Sequence, residues 1–372
     1  MKIGFDAKRF FYNHSGLGNY SRNMIAYLQE YFPQEEYYLF AADRPGKINF
    51  HFQDNTQVIH PQGDFNGRKA AYWRSKAILH EPAFQTLDIY HGLSAELPIG
   101  IRKSPVKSVL TIHDMIYLHF PHLYKFIDRK IYHWKTKKAC QEADKIIAIS
   151  QQTKDDIIRF YKVKPEKIDI VYQGCNAIFY PEYPEIQQKS VREKYHLPKR
   201  YILNVGTIEE RKNALLIVKA MHQSKIDFPL AIIGRKTAYT SKIEKYIAQH
   251  NLQKQVFILD NVGFEDLPVL YQGADLFIYP SVFEGFGIPI IEAFNSDTPV
   301  IVSDIPVFRE VAGEAAMIFE NNNPTDLGEK INVLLHDLEK RNTLIQKGRE
   351  RKMLFRGEAI ASKLMHIYQS LV

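Results

Sequence analysis

Residues 276–293 read Leu276-Phe277-Ile278-Tyr279-Pro280-Ser281-Val282-Phe283-Glu284-Gly285-Phe286-Gly287-Ile288-Pro289-Ile290-Ile291-Glu292-Ala293. The run opens with an apolar stretch that is typical of a short buried strand. Gly285 and Gly287 then allow backbone amides to approach a ligand closely, and the helix predicted after them begins with unpaired N–H groups at its positive dipole end. The strand, turn and helix therefore predict a ligand site.

Two carboxylates flank this turn. Glu284 lies just before the predicted helix, and Glu292 lies about two turns into it. One carboxylate can reach hydroxyls near the turn while the other reaches a more distant part of the same ligand, as a sugar nucleotide would require. The alternative is an N-terminal cap and a solvated helix residue, but the Gly-Phe-Gly segment between the carboxylates favours binding.

The run from Pro280 to Ala293 resembles the donor site of family 4 glycosyltransferases, which are retaining enzymes of GT-B fold. Within that family it is similar to bacterial mannosyltransferase-like enzymes of surface polysaccharide synthesis. The resemblance implies an α/β protein of two doubly wound, Rossmann-like domains that face each other across a cleft. Further matching motifs, over nearly the whole chain, are Phe5-Asp6-Ala7-Lys8, Ser15-Gly16-Leu17-Gly18-Asn19-Tyr20, Thr111-Ile112-His113-Asp114, residues 204–213, residues 270–275, residues 298–301 and residues 309–313.

Short β-branched runs alternate with longer amphipathic runs, which predicts parallel sheets with helical crossovers. A linker rich in Pro, Tyr and Glu at 180–184 interrupts the alternation. We expect domains at 1–180 and 181–354. The resemblance assigns acceptor binding to the first domain and donor binding to the second. It also implies that a last helix, at about 355–372, packs back on the first domain. Predicted strands are 2–7, 37–42, 57–61, 88–92, 107–113, 145–150, 168–173, 201–206, 230–234, 256–259, 276–280, 300–303 and 316–320, and predicted first-half helices are 18–31, 69–81, 123–142 and 151–162.

Composition fits a soluble globular protein, since 45% of the 372 residues are hydrophobic and 24% are charged. The N-terminus meets charge too early for a secretory signal and no long apolar run follows, so we expect a cytoplasmic location. The two cysteines, Cys140 and Cys175, lack metal-ligand spacing and are interpreted as reduced structural thiols.

Arg211 and Lys212 follow the strand at 201–206 and open a helix, where a diphosphate would lie. Such cations can stabilise the charge that builds on a departing nucleoside diphosphate. A solvated basic turn is the alternative, although cations are unfavourable at a helix N-terminus unless an anion shares the site. Many relatives carry Arg directly after the glycine of this strand where this chain has Thr207, which places more of the task on Arg211 and Lys212.

A loop with Gly16 and Gly18 precedes a helix, but no third glycine completes a nicotinamide-type fingerprint. The family-implied role is an amide donor to the donor phosphate, and a mere turn is the alternative. The residues that the resemblance places around the donor are Gly16, Gly18, Gly206, Thr207, Val262, Glu284, Gly285, Phe286, Gly287, Ile288 and Glu292.

His113 and Asp114 end an apolar strand of the first domain. By resemblance, His113 would line the sugar pocket and orient acceptor and transferred sugar, whereas a structural His-Asp pair is the alternative. The catalytic candidates are thus His113, Arg211, Lys212 and Glu284. No metal site and no cofactor are expected, because the spacing typical of metal ligands is missing and the two cations can neutralise the diphosphate.

The formal excess of positive charge lies entirely in the first half. Residues 1–180 hold 25 Lys and Arg against 18 Asp and Glu, whereas residues 181–372 hold 24 of each. This asymmetry favours an anionic partner, such as a membrane surface, a pyrophosphate-linked lipid or a nucleic acid. Nucleic acid is disfavoured because no helix-turn-helix, zinc or RNP-like pattern is present.

Two basic clusters interleaved with aromatic residues lie in that half. The helix after Pro121 carries the apolar stripe Ile127, Ile131 and Trp134, which is more often core than membrane anchor. Membrane docking of the first domain remains open. The basic residues of this helix are Lys125, Arg129, Lys130, Lys135, Lys137 and Lys138, and the second cluster is Arg68, Lys69, Tyr72, Trp73, Arg74 and Lys76.

The sequence thus predicts a cytoplasmic, retaining glycosyltransferase that moves a hexose to a saccharide hydroxyl. Mannose from GDP-mannose is the favoured donor, and a lipid-linked saccharide is the expected acceptor. Glu284 would hold sugar hydroxyls, Phe286 and Gly287 would offer amides, and Glu292 would bind ribose. The rivals are a sugar-nucleotide epimerase or phosphorylase on the same fold, an NAD-dependent oxidoreductase, and a non-catalytic carbohydrate-binding scaffold.

Overall fold

The computed structural model describes residues 1–13, 16–42, 50–63 and 67–372, so Ser15 of the glycine motif lies outside the described residues. The strands are short β-branched runs, most of them buried along their length, as expected for parallel sheets. They are β1 (Lys2–Asp6), β2 (Glu36–Phe40), β3 (Thr56–Ile59), β4 (Ile89–Gly92), β5 (Lys107–Ile112), β6 (Lys145–Ala148), β7 (Ile168–Ile170), β8 (Ile202–Val205), β9 (Leu230–Ile233), β10 (Val256–Leu259), β11 (Leu276–Tyr279), β12 (Val300–Ser303) and β13 (Ala316–Phe319).

Helices occupy most intervals between the strands, and short 3₁₀ turns lead into several of them. The helices are α1 (Lys8–Tyr12), α2 (Gly16–Tyr31), α3 (Arg68–Ser75), α4 (Pro82–Gln85), α5 (Ile116–His119), α6 (Phe126–Glu142), α7 (Gln151–Tyr161), α8 (Glu185–Lys194), α9 (Ala214–Gln223), α10 (Thr240–Gln249), α11 (Leu267–Gln272), α12 (Ile288–Asn295), α13 (Pro306–Ala312), α14 (Pro324–His336), α15 (Leu338–Arg351) and α16 (Gly357–Gln369).

The chain divides into two compact units. Unit 1 comprises residues 1–174 and 356–372, and its described strands form a parallel sheet in the order β3-β2-β1-β4-β5-β6-β7. Helix α16 packs against α2 within this unit. The strand order reverses between β1 and β4, which is the point where doubly wound folds bind their ligands.

Unit 2 comprises residues 175–355, with strand order β10-β9-β8-β11-β12-β13. Here the reversal lies between β8 and β11, which pair in parallel with Ile202 opposite Leu276. The carboxyl ends of β8 and β11 are therefore neighbours on one edge of the sheet. The predicted α/β fold with two Rossmann-like domains is confirmed.

The boundary between the units follows Gly174, earlier than the 180 expected from the linker. The segment after it already packs on unit 2, where Phe179 is fully buried with its ring 5.7 Å from that of Tyr271. Asn295 also donates to the Cys175 sulfur at 3.2 Å. Helix α8 follows directly and was not predicted from the linker composition.

Of the two interpretations of the α6 stripe, burial in the core does not apply. Ile127, Ile131 and Trp134 are 70%, 46% and 55% exposed, because the side of α6 that packs on the core begins only at Thr136. In the second basic cluster, conversely, Trp73 is buried, and Arg74 is an internal ion-pair partner. Among the described residues, none of the helices combines the length and apolar character that a bilayer-spanning segment needs.

Candidate functional site

The loop after β8 is shaped by two close glycines. Gly206 has φ +146° and Gly234, at the end of β9, has φ +157°, and both values favour glycine. A Cβ on Gly234 would lie 1.8 Å from the Gly206 carbonyl oxygen. The ends of β8 and β9 can approach this closely only without a side chain, and the approach directs the loop toward Arg211.

Arg211 lies in a 3₁₀ turn just before α9 and reaches across to the loop after β11. One guanidinium nitrogen donates to the Phe283 carbonyl at 2.6 Å and lies 2.8 Å from Glu284 Oε1. The other terminal nitrogen pairs with Glu209 Oε1 at 2.6 Å. The guanidinium is therefore fixed by contacts on two loops.

Lys212 converges on the same carboxylate oxygen. Its Nζ lies 2.6 Å from Glu284 Oε1 and donates to Tyr279 Oη at 2.5 Å, above the tyrosine ring. Tyr279 Oη in turn donates to Glu284 Oε1 at 3.0 Å. The side chains of Arg211 and Lys212 are 9% and 17% exposed, so the alternative of a solvated basic turn does not describe them.

Electrostatics explain how this cluster tolerates burial. Burial alone would raise the pKa of Glu284, but Lys212 and Arg211 outweigh it and lower the pKa to about 2. Burial lowers the pKa of Lys212 against the opposing effect of Glu284. The anion that makes a basic N-terminus of α9 acceptable is, in the free protein, Glu284 itself.

Glu292 occupies a different environment on α12. Its Oε2 accepts a hydrogen bond from Tyr271 Oη at 3.0 Å. Burial raises its pKa to about 7, although the Tyr271 hydrogen bond and the charge of Lys212 act in the opposite direction. The two glutamates predicted from the sequence therefore differ sharply in acidity, because cations hold only Glu284 directly.

The glycine turn between them is buried. Gly287 has φ +126° at the N-terminus of α12, and a Cβ there would lie 3.1 Å from the Phe308 ring. That ring stacks on Tyr279 with centroids 5.0 Å apart. Gly285 and Phe286 are also buried, and Ile288 is the first residue of α12.

Two predicted donor residues stand apart from these contacts. Thr207 follows Gly206 and is partly exposed. Val262 follows β10, the edge strand of the sheet, and β9 separates it from β8.

In unit 1, His113 follows β5 and is held by two contacts. Its Nε2 lies 2.8 Å from the Leu93 carbonyl, and its ring meets Tyr20 edge-on at 4.5 Å. Burial lowers its pKa to about 4, so the imidazole is neutral at pH 7 and Nε2–H donates to the carbonyl. Asp114 Oδ1 accepts from the Ile116 N–H at 3.0 Å, which gives that oxygen a helix-capping contact.

A buried polar network supports Tyr20 from below. Tyr20 Oη lies 3.1 Å from Thr111 Oγ1, which lies 2.8 Å from His91 Nε2. His91 Nδ1 then meets Tyr368 Oη on α16 at 2.6 Å. Burial lowers the pKa of His91 to about 3, so this network holds no charge at neutral pH. Helix α16 is thereby connected to the surroundings of His113.

Gly16 and Gly18 are the first and third residues of α2 rather than a loop. The Gly18 N–H donates to Asn13 Oδ1 at 3.1 Å, and a Cβ on Gly18 would lie 1.7 Å from the Asn13 carbonyl oxygen. The amide of Gly18 thus makes a local contact, and its expected role toward the donor phosphate stays a prediction. Gly16 has open space around it.

Sequence reasoning missed three residues of the unit 2 cluster: Tyr279, Tyr271 and Glu209. Tyr279 and Tyr271 both lie in motifs quoted above. Tyr279 ends a buried strand and Tyr271 hydrogen-bonds Glu292 of α12, and a tyrosine at the carboxyl end of a buried strand is the sequence signal that could have identified such a residue. Among the described residues, no group of three or more potential metal ligands lies together.

Two family models match the chain: "Glycosyltransferase Family 4" over residues 14–177 and "Glycosyl transferases group 1" over residues 185–351. The O-antigen chain mannosyltransferase RfbU of Salmonella typhimurium is 33% identical over 217 residues, a match that spans 58% of this chain and 57% of that protein. The O-antigen chain mannosyltransferase B of Escherichia coli is 27% identical over an alignment that covers all of both chains.

The sucrose-phosphate synthase from Thermosynechococcus elongatus has a similar structure, with a TM-score of 0.79, 22% identity and coverage of 100% of this chain and 99% of that one. At this identity the likeness concerns the fold. Since the two family models together span most of the sequence, the chain belongs to the family 4 glycosyltransferases, has their GT-B fold and is a hexosyltransferase.

Proposed function

We propose that this enzyme transfers mannose from GDP-mannose to a hydroxyl of a lipid-linked saccharide during the synthesis of a surface polysaccharide. The names of the two O-antigen mannosyltransferases support this sugar and this process. The observation that carries the proposal is the convergence of Arg211, Lys212 and Tyr279 on one oxygen of Glu284 between β8 and β11. A nucleotide diphosphate sugar suits this site because its diphosphate needs cations and its sugar hydroxyls need hydrogen-bond acceptors.

The diphosphate takes over contacts that Glu284 makes in the free protein. Phosphate oxygens bind the Arg211 guanidinium and the Lys212 ammonium as charge-assisted hydrogen bonds. These bonds strengthen as the leaving diphosphate gains charge, and such a donor is worth about 2.7–4 kcal/mol at the transition state. The released Glu284 carboxylate then accepts from hydroxyls of the transferred sugar.

The rest of the donor extends along α12. The amides of Phe286 and Gly287 bind the donor, as the family resemblance implies, and the first turn of α12 adds its dipole. Glu292, about two turns further along, accepts from the ribose hydroxyls. This assignment gives each carboxylate one end of the donor.

Transfer proceeds with retention of configuration on the front face of the sugar. The bond between the anomeric carbon and the phosphate oxygen breaks, and the nucleoside diphosphate leaves with the electron pair. The acceptor oxygen bonds to the same face of that carbon, while its proton passes to the departing phosphate oxygen. No carboxylate base is needed for that proton, because the departing phosphate oxygen accepts it.

Neutral His113 contributes from unit 1 as a hydrogen-bonding group that orients acceptor and sugar. Its Nε2–H is committed to Leu93, so Nδ1 is the atom available to accept from a hydroxyl. The reaction needs no divalent ion, because Arg211 and Lys212 neutralise the diphosphate.

A donor panel tests this function. GDP should raise the melting temperature more than UDP, ADP or NAD, and GDP-mannose with a saccharide acceptor should give a glycoside in the presence of EDTA. Lys212→Ala should abolish most of the GDP shift, whereas Lys189→Ala, at a 68% exposed lysine of unit 2, should retain it.

Several outcomes contradict parts of the proposal. If UDP or ADP raised the melting temperature more than GDP did, the donor would carry that nucleotide and not GDP. Turnover of the donor without an acceptor would favour an epimerase. A shift with NAD alone favours an oxidoreductase. Loss of activity with EDTA that Mg²⁺ restores overturns the metal-free reaction.

A further inference from the structure

We propose that the first half of helix α6 docks unit 1 on the surface of an anionic lipid bilayer. From Phe126 to Lys135 this helix is exposed on nearly all sides. Large apolar side chains project into solvent there, and Phe126 and Ile127 are 63% and 70% exposed. Such clustering on a soluble domain marks an interaction surface rather than scattered exposure. We call residues 123–138 the α6 surface.

The apolar residues lie on the side of the helix opposite to the core. At about 100° per residue, Ile127, Ile131 and Trp134 fall within an arc of about 60°. The core-facing residues Thr136, Ala139 and Cys140 fall on the other side. Leu123, which is 42% exposed, lies just before the helix and extends the apolar area.

Lysines lie within and beside this apolar arc. Lys138 Nζ is 5.4 Å from the Trp134 ring centroid, and Lys130 Nζ is 5.4 Å from that of Phe126. The two ammonium groups therefore lie over exposed aromatic rings, so cationic and aromatic groups share one surface. A lysine side chain can bury its stem at a bilayer interface and keep its ammonium among the headgroups.

The charge of the surface selects the occupant. Lys125, Arg129, Lys130, Lys135 and Lys137 lie with Lys138 on this segment, against Asp128 alone between residues 123 and 138. Lys135 is 3.8 Å from Glu96 and keeps 44% of its side chain exposed. A bilayer with anionic lipids offers apolar chains beneath a layer of negative phosphates, which matches apolar residues flanked by cations. The +7 excess of residues 1–180 adds longer-range attraction.

Vesicle sedimentation of the full-length protein tests this surface. Vesicles with phosphatidylglycerol in phosphatidylcholine should bind the protein, pure phosphatidylcholine should bind it weakly, and rising salt should reduce binding to the anionic vesicles. Ile127→Glu should weaken binding at least about tenfold, because it removes apolar burial and adds a repelled charge. Lys130→Ala should weaken it about fivefold.

Matched controls lie on unit 2. Ile186 is 79% exposed and Lys189 is 68% exposed on α8, so Ile186→Glu and Lys189→Ala repeat the chemistry away from the α6 surface. Both should bind vesicles like the unmodified protein. All four variants should keep the melting shift with GDP, which separates this test from that of the proposed function.

Three results would overturn the proposal. The first is no binding to phosphatidylglycerol vesicles even at low salt. The second is equal loss of binding in the α6 variants and their unit 2 controls. The third is a dimer in sedimentation velocity that Ile127→Glu dissociates, since the α6 surface would then be an interface between two copies of the chain.

Discussion

A single carboxylate oxygen organises the donor site at the scale of residues. Glu284 Oε1 meets Arg211, Lys212 and Tyr279, so removing either cation leaves a buried charge with fewer partners. The sequence predicted Glu284 and both cations as site residues, because glycine turns and charged pairs at strand ends are local signals. It could not reveal that Glu284 pairs with the cations, since Arg211 reaches a distant loop at Phe283, 72 residues further along the chain and next to Glu284.

The two glutamates should fail differently when each is changed to glutamine. Glu284→Gln should lower turnover strongly without lowering the affinity for GDP, because Glu284 competes with the diphosphate for Arg211 and Lys212. Glu292→Gln should weaken GDP binding by about 1–3 kcal/mol through the lost ribose contact. Calorimetry with GDP at pH 8, where Glu292 is mostly ionised, measures the GDP affinity of both variants.

Equal losses of GDP affinity in the two variants, or none in either, would show that the carboxylates are assigned to the wrong ends of the donor. Glu193→Gln provides the control, because Glu193 is 68% exposed on α8.

Stability should depend on Glu292 in a defined pH range. Burial raises its pKa from the ordinary 4.5 to about 7, so the folded state holds this proton more tightly than the unfolded chain does. The free energy of unfolding should therefore fall as pH rises from about 4.5 to 7. Glu292→Gln lacks this loss, so its melting temperature relative to the unmodified protein should increase over that range.

Thermal melts at intervals between pH 4.5 and 8 measure this difference. Glu284 contributes in a separate range, because its pKa of about 2 lies below 4.5 and its stabilisation is lost as pH falls. A difference between the Glu292→Gln and unmodified proteins that stays constant with pH would mean that Glu292 titrates normally.

At the scale of elements, the sequence pattern located the strands well, because buried parallel strands are short continuous β-branched runs. The exposure of the α6 stripe could not be predicted, because periodicity reports which residues share a face but not whether a neighbour covers that face. The boundary was misplaced for a related reason, since the contacts of Phe179 with unit 2 are not visible in the composition of the linker.

The glycine contact between β8 and β9 should be essential for the donor site. Gly234→Ala places a Cβ 1.8 Å from the Gly206 carbonyl in a conformation with φ +157°, so the backbone must move. We expect a loss of about 1–3 kcal/mol of stability. We also expect weaker GDP binding, because the loop after β8, which contains Gly206, leads to Arg211 and Lys212. Chemical denaturation and calorimetry measure the two effects.

Gly263→Ala is the matched control in the same unit, because the atoms near its Cβ belong to the flexible side chain of Glu265. It should change stability little. If Gly234→Ala bound GDP as the unmodified protein does, the contact between the two strand ends would have no part in shaping the site.

At the scale of the whole molecule, the C-terminal helix α16 completes a buried network in unit 1. Tyr368 lies on α16 in unit 1, and its hydroxyl meets His91 at 2.6 Å. Tyr368→Phe should leave a buried imidazole nitrogen without its partner, lower stability by about 1–3 kcal/mol and reduce kcat through the network to Tyr20 and His113. GDP affinity should stay unchanged, because Arg211, Lys212 and Glu292 lie in unit 2.

Tyr72→Phe is the control, since Tyr72 is 57% exposed on α3 and should affect none of these quantities. Steady-state kinetics and GDP calorimetry on both variants distinguish the outcomes. A fall in GDP affinity in Tyr368→Phe would contradict the assignment of donor binding to unit 2 alone.

The return of residues 356–372 to unit 1 also determines the order in which the units can be completed during translation. Residues 175–355 form unit 2 without interruption, so all of its sequence leaves the ribosome before α16 does. Most of unit 1 is synthesised first. The side of α2 that packs against α16 nevertheless stays uncovered until α16 leaves the ribosome. N-terminal domains usually finish folding first, but here unit 2 can be completed before unit 1. The exposed side of α2 in the nascent chain is then the surface that a chaperone would need to shield.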